Sequence, residues 1–239
     1  MRTIGIDFAS DPRNTALCEI VWDDASATIV QVTSPVTDDL ICELVAAPPA
    51  PVFGVDIPFG WPRHFVEFVS AHAAGSASLP ASTMRQKRLR ATDCFIQERF
   101  RKAPLSVSTD KIGIPAMRWA ALSREFGIVN RAGDGKFYEV YPAVARIAWG
   151  LPGKDNNAAG LEQILARCPI GVTSPGMHDA LLQGEHGFDA LLCALVTRAA
   201  SLGLTSLPPP ELLADAEREG WIHVPQSGSL ERLIRACKR

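Results

Sequence analysis

Val52-Phe53-Gly54-Val55-Asp56-Ile57 is an apolar run broken once, by an aspartate next to its end. A run this short, rich in β-branched and aromatic residues and without polar alternation, reads as a strand buried on both faces. That is the habit of a parallel strand in an α/β sheet. The preceding residues fix its place in the order. Thr3–Asp7, Thr15–Trp22 and Thr28–Thr33 read as three strands, separated by the turn-rich Ser10-Asp11-Pro12-Arg13-Asn14 and Asp23-Asp24-Ala25-Ser26, a spacing that predicts an antiparallel meander. Asp38 or Asp39 opens a short helix carrying Leu40, Ile41, Leu44 and Val45, which Ala47-Pro48-Pro49 ends. The order up to Ile57 is therefore β-β-β-α-β.

Beyond Pro58 the pattern turns helical, interrupted by residues 73–80 and 104–115. Residues 63–131 are expected to form a helical insertion after the fourth strand, within a single domain spanning 1–239. Asp134-Gly135 is a turn signal before a fifth strand, Lys136–Tyr141, which Pro142 stops. Helices are predicted near Ala143–Trp149, Leu161–Arg167, Gly187–Leu202 and Pro210–Gly220. This succession is the ribonuclease H-like order: an α/β fold with a mixed five-stranded sheet flanked by helices, in which the first and fourth strands are central neighbours.

Composition narrows the function classes. At 239 residues and 47% hydrophobic, the chain can bury an ordinary core. A formal net charge of −2 excludes a molecule that is cationic throughout, so a polyanion would have to meet a local patch. Arg85–Lys102 offers one, with seven basic residues against two acidic ones. Six cysteines, Cys18, Cys42, Cys94, Cys168, Cys193 and Cys237, form no Cys-x-x-Cys pair. With no leader-like start and no apolar run of the roughly 20 residues a membrane helix needs, the expectation is a cytoplasmic protein with no membrane partner. No phosphate loop, dinucleotide fingerprint, nucleophile elbow or zinc pattern is present, which weighs against the chemistries they serve.

Three acids sit where chemistry could be built. Asp7 closes Ile4-Gly5-Ile6, Asp56 closes Val52-Phe53-Gly54-Val55, and Asp189 opens the helical Ala190-Leu191-Leu192-Cys193-Ala194-Leu195-Val196. If the first and fourth strands are neighbours, Asp7 and Asp56 are side by side. Mg²⁺ or Mn²⁺ takes oxygen ligands and keeps several waters, so carboxylates on rigid elements leave room for a phosphate oxygen and a nucleophilic water. Taken singly, either strand-end aspartate could be only a turn former. Convergence of all three would require a cation or a proton, because buried carboxylates repel one another. Glu139, among apolar neighbours on the fifth strand, is either a fourth catalytic carboxylate or a paired sheet residue.

Gly5-Ile6-Asp7, Asp56-Ile57-Pro58-Phe59-Gly60-Trp61-Pro62, Arg90-x-Thr92-Asp93, Glu139-x-Tyr141-Pro142-Ala143 and Asp189-Ala190-Leu191-Leu192-Cys193-Ala194 together resemble the signature segments of the domain of unknown function 429 family. The resemblance implies a predicted nuclease of ribonuclease H-like fold. The last helix also resembles the closing helix of RuvC-type Holliday-junction resolvases, which implicates His186, three positions before Asp189, as a metal ligand. The resemblance further implies that Arg90 orients substrate phosphate while held by Asp93. Spacing alone allows these two simply to pair with each other.

The expected function is thus a metal-dependent nuclease hydrolysing nucleic-acid phosphodiester bonds. Asp7, Asp56, Asp189 and Glu139 are the candidate catalytic residues, Asp7, Asp56, Asp189 and His186 the candidate ligands for Mg²⁺ or Mn²⁺, and Arg90 and Asp93 the candidate substrate contacts. DNA or RNA is the expected partner, with a homodimer among the expected forms. Two alternatives stand beside it: a non-catalytic nucleic-acid-binding or scaffold protein on the same core, and a phosphotransferase of the sugar kinase and actin type, which would need a duplicated core.

Overall fold

The computed structural model describes residues 1–174, 176–184 and 186–234, and Cys237 lies outside them. In chain order the elements are β1 (Arg2–Asp7), β2 (Ala16–Trp22), β3 (Ala27–Thr33), α1 (Asp38–Ala46), β4 (Val52–Asp56), α2 (Arg63–Ala73), α3 (Met84–Arg88), α4 (Ala91–Phe100), α5 (Gly113–Glu125), β5 (Phe137–Glu139), α6 (Pro142–Trp149), α7 (Asn157–Arg167), β6 (Gly171–Val172), α8 (Gly176–Leu182), α9 (His186–Ser201) and α10 (Leu213–Glu219). They fall into two compact units. One holds Met1–Asp56, Gly135–Ser206 and the chain from His223 on; the other holds Ile57–Asp134 and Leu207–Ile222. No helix among the described residues is long and apolar enough to cross a membrane.

The first unit is mixed α/β, built on one sheet of order β5-β4-β1-β2-β3-β6. The three early strands are antiparallel neighbours, as the meander pattern predicts, and β4 lies parallel to β1. The expectation of five strands is corrected to six. β6 is only Gly171 and Val172, both exposed, paired in parallel with Thr28 and Ile29 of β3. Two exposed residues carry no hydrophobic period, so nothing in the sequence marks them. The fifth strand is also shorter than Lys136–Tyr141: Pro142 stands at the first turn of α6, where its missing N–H is no loss. The turn signals elsewhere are realised locally, as at α1, where the Thr37 side chain accepts from the Leu40 N–H at 3.3 Å.

Two glycines decide how the sheet is covered. Gly5 of β1 and Gly54 of β4 are direct partners in the parallel register. A Cβ on Gly5 would fall onto the carbonyl oxygen of Ala190 and the amide of Ala194. One on Gly54 would meet the Thr197 hydroxyl and the Cys193 carbonyl. The backbone of α9 therefore lies directly against the middle of the sheet, closer than any larger residue would permit. Gly187 through Thr197 of this helix are buried, which explains why it is apolar all round rather than striped.

The second unit is helical. Its chain crossings are tied by Glu219, whose carboxylate accepts from the Arg63 N–H at 2.6 Å and the Ala91 N–H at 2.7 Å, the first residues of α2 and α4. Anionic oxygen at two helix N-termini is a favourable arrangement. Phe59 packs on Trp119 with ring centroids 5.2 Å apart, and Phe95 on Trp221 at 5.0 Å.

Candidate functional site

Asp7 and Asp56 end their strands as direct partners in the β1–β4 register. Side chains alternate along a strand, so each aspartate lies on the same face as the glycine two residues before it, which is the face α9 covers. The close approach at Gly5 and Gly54 thereby brings the first turn of α9 to the two carboxylates. His186, the first residue of α9, sits with Nδ1 2.6 Å from Asp7 Oδ2, its own side chain half exposed. Asp189 follows one turn later on the same side of the helix and is buried.

Charge is concentrated here. Burial raises the proton affinity of Asp7, and the nearby negative charge of Asp189 adds to this while the hydrogen bond from His186 works against it. Asp56 is pushed well above the ordinary carboxylate range, first by burial, then by the charges of Asp7 and Asp189, with Lys154 opposing. Asp7, Asp56 and Asp189, distant in sequence, thus lie near enough for their charges to act on one another.

Asp189 has a distinct environment. Arg146 of α6 donates from Nη2 to Asp189 Oδ1 at 3.2 Å, and the Lys154 ammonium reaches Oδ2 at 2.8 Å. Arg146 is held in turn by the Pro152 carbonyl at 3.3 Å and Asn157 Oδ1 at 2.8 Å, with its guanidinium 4.4 Å from the Phe188 ring centroid. Both oxygens of this carboxylate therefore face a cation. Glu139 is rooted differently. It pairs with Val55, one residue before Asp56, and so starts from the opposite face of the sheet, buried, adding a small upward push on Asp56.

Among the described residues no group of three or more His, Cys, Asp or Glu side chains is assembled closely enough to hold a metal ion. The two strand-end carboxylates are nonetheless chemically suited to one. They are hard oxygen donors whose burial and mutual repulsion a cation would relieve, and Mg²⁺ is commonly bound through one or two carboxylates with water and phosphate completing its shell. A cavity of about 220 Å³ adjoins His186, lined by Ala16, Val32, Thr33, Ser34 and Gln183.

Arg90 and Asp93 belong to the other unit. Asp93 Oδ2 accepts from the Arg90 backbone N–H at 3.0 Å and from Nε at 3.1 Å, while Oδ1 accepts from Nη2 at 2.8 Å. Arg90 Nη1 donates to the Glu219 carbonyl at 3.2 Å. Both side chains are buried, and the pair stands at the start of α4.

A family model described as "Protein of unknown function (DUF429)" matches residues 5–212. The chain belongs to the DUF429 family. Comparisons with curated proteins and with solved structures gave no match. In this DUF429 protein the matched span takes in Asp7, Asp56, Glu139, His186 and Asp189, and also two residues that sequence reasoning passed over, Arg146 and Lys154. Arg146 had a signal, a lone charge within the apolar Val144-Ala145-Arg146-Ile147-Ala148, which a buried helix tolerates only if the charge is paired. Lys154, following Gly153 in a connecting segment, had none.

Proposed function

We propose that the sheet-bearing unit is a ribonuclease H-like, metal-dependent phosphodiesterase acting on nucleic acid, with Mg²⁺ or Mn²⁺ held by Asp7 and Asp56. The observation that carries this reading is the in-register pair of aspartates at the ends of adjacent parallel strands, with the first turn of α9 bringing His186 and Asp189 to them. When bound, such a cation polarises a phosphoryl oxygen and makes its coordinated water more acidic.

The protein's own groups supply the rest. Asp7 fixes the His186 ring through Nδ1, and this half-exposed imidazole is the group assigned to take up or deliver a proton at the attacking or departing oxygen. Asp189 is buried and Asp56 half-buried, which lowers the local dielectric and strengthens charge–charge interactions at the reacting phosphate. Glu139 stands behind Asp56 as an auxiliary acid rather than a direct contact.

The test is cleavage of single-stranded, duplex, hybrid and branched nucleic acids with Mg²⁺ or Mn²⁺ by wild type, Asp7→Asn and Asp56→Asn. Wild type should cleave at least one of them, and each variant should lose about 10³-fold in rate, equivalent to about 4 kcal/mol of barrier. Equal cleavage by wild type and Asp7→Asn would defeat the proposal. A second reading, a nucleic-acid-binding protein without catalysis, draws on the engagement of both Asp189 oxygens by Arg146 and Lys154. Binding without cleavage of any substrate would select it.

A further inference from the structure

The basic stretch Arg85–Lys102 folds as α3, α4 and the turn after each, all within the helical unit. Where the end of α3 faces the chain leaving α4 there is a cavity of about 330 Å³, lined by Arg85, Arg88 and Gln97 with Met84, Leu89 and Pro104. That is the lower end of the size range of ligand pockets. The end of α3 is tied to the chain beyond α4: Ser106 Oγ donates to the Arg88 carbonyl at 2.7 Å and Ser108 Oγ to the Lys87 carbonyl at 2.8 Å. The basic side chains divide by what they touch. Lys87 donates to the Ser82 carbonyl at 2.7 Å and lies over the Phe68 ring, and Arg99 lies over Phe95 and Phe100, so both serve the fold. Arg88, Arg101 and Lys102 are exposed, and their side chains make no hydrogen bond or ion pair among the described residues. Arg85 meets Glu98 at 3.8 Å with both side chains more than half exposed, a pair worth little in water.

Two further observations set this groove apart from a solvated charged face. Gln97 Oε1, in the lining, is buried with no hydrogen-bond partner among the described residues, an acceptor that calls for a donor. Arg101 holds φ 52 at the C-terminal cap of α4, a left-handed position where glycine is the usual occupant, so an arginine there carries a backbone cost that glycine would avoid. Guanidinium groups suit phosphate oxygens, but phosphate offers Gln97 no donor and gains nothing from the apolar atoms of Met84, Leu89 and Pro104. A nucleobase supplies both an N–H and a ring, and in a duplex these are paired and stacked. We infer that the groove binds single-stranded nucleic acid: Arg85 and Arg88 take backbone phosphates, an unstacked base lies against Met84, Leu89 and Pro104 and donates to Gln97 Oε1, and Arg101 and Lys102 carry the phosphate track onward. This rests on the reading of nucleic acid as substrate and adds a binding surface built from the helical unit alone.

Fluorescence anisotropy on the full-length protein in EDTA tests it, with a labelled 20-mer of mixed sequence as DNA and as RNA, single-stranded and duplex. The single strand should bind several-fold more tightly than the duplex. Arg88→Gln should weaken single-strand binding several-fold and flatten the slope of log K against log salt by about 0.7, the share of one phosphate contact. Gln97→Leu should weaken binding of the oligomer and leave that of inorganic polyphosphate unchanged. Arg101→Gly should weaken binding without lowering the midpoint of thermal unfolding, because glycine is at ease at that φ, whereas an arginine of purely structural role would leave binding unchanged. Failure of wild type to bind either oligomer would overturn the inference. So would equal affinity for single strand and duplex, polyphosphate of equal charge bound as tightly as the oligomer, or isotherms unchanged by Arg88→Gln and Arg101→Gly. Cleavage with Mn²⁺ is scored separately. If wild type cleaves but the groove variants bind as it does, the groove falls and the phosphodiesterase stands; if the variants weaken binding and wild type cleaves nothing, the groove stands and the catalytic reading falls.

Discussion

Asp56 is held further from its ordinary proton affinity than Asp7, although the two are direct neighbours: burial and the charges of Asp7 and Asp189 push it up, whereas at Asp7 the hydrogen bond with His186 works against burial. A carboxylate raised in the folded state binds its proton more tightly there than in the unfolded chain, whose value is near 3.8. As pH climbs through that interval the folded protein must release a proton it prefers to keep, so stability falls. Asp56 thus costs stability at neutral pH in the absence of a cation. Asp56→Asn should accordingly raise the Tm of the sheet-bearing unit at pH 7 in EDTA by about 2–4 °C, the equivalent of about 1 kcal/mol, and the advantage should shrink toward pH 4. Differential scanning calorimetry at the two pH values checks this, and a Tm lowered at pH 7 would show that the carboxylate is satisfied where it lies. Arg146→Met should act in the opposite direction, losing about 3 kcal/mol, since it strips a buried partner from Asp189 and empties the space over Phe188. Urea denaturation measures it.

The element that positions the site is α9, and its contact with Gly5 and Gly54 is a prediction in itself. Gly5→Ala would drive a methyl group into the backbone at Ala190 and Ala194, and α9 would have to move off the sheet. The expected loss is about 1–3 kcal/mol or more, with His186 drawn away from Asp7, readable as a lower denaturation midpoint and as changed amide chemical shifts in the first turn of α9. Unchanged values for both would mean that α9 does not rest on the strand as described. At this scale much was legible beforehand. The apolar run ending in Asp56 announced a parallel strand, and the turn-punctuated early strands announced the antiparallel set. The Gly-x-Asp spacing shared by residues 5–7 and 54–56 carried the close approach as well, though it becomes meaningful only once the two strands are known to pair in register. Residues 171–172 and the Lys154 turn were beyond reach, because a two-residue strand and a connecting segment have no periodicity to read. Arg90 and Asp93 were legible as an i, i+3 pair, and they meet as a buried ion pair.

Taken as a molecule, the protein devotes one unit to a six-stranded mixed sheet whose buried acids are only partly balanced by Arg146, Lys154 and His186, and a second to helices tied together through Glu219. Nothing in overall charge, near neutral at −2, foretold that local imbalance, which arises only when distant segments meet. A cation that binds the folded chain and not the unfolded one must stabilise it by mass action, about 2.7 kcal/mol at a hundredfold excess over Kd. Mn²⁺ should therefore raise the Tm of wild type and leave Asp7→Asn unmoved, and equal shifts in the two would point to adventitious binding elsewhere. The most direct test is a crystal soaked in Mn²⁺ and measured for anomalous scattering. A peak bridging the carboxylates of Asp7 and Asp56 is the predicted result. No peak at that pair, or manganese bound only at other surfaces, would contradict the account.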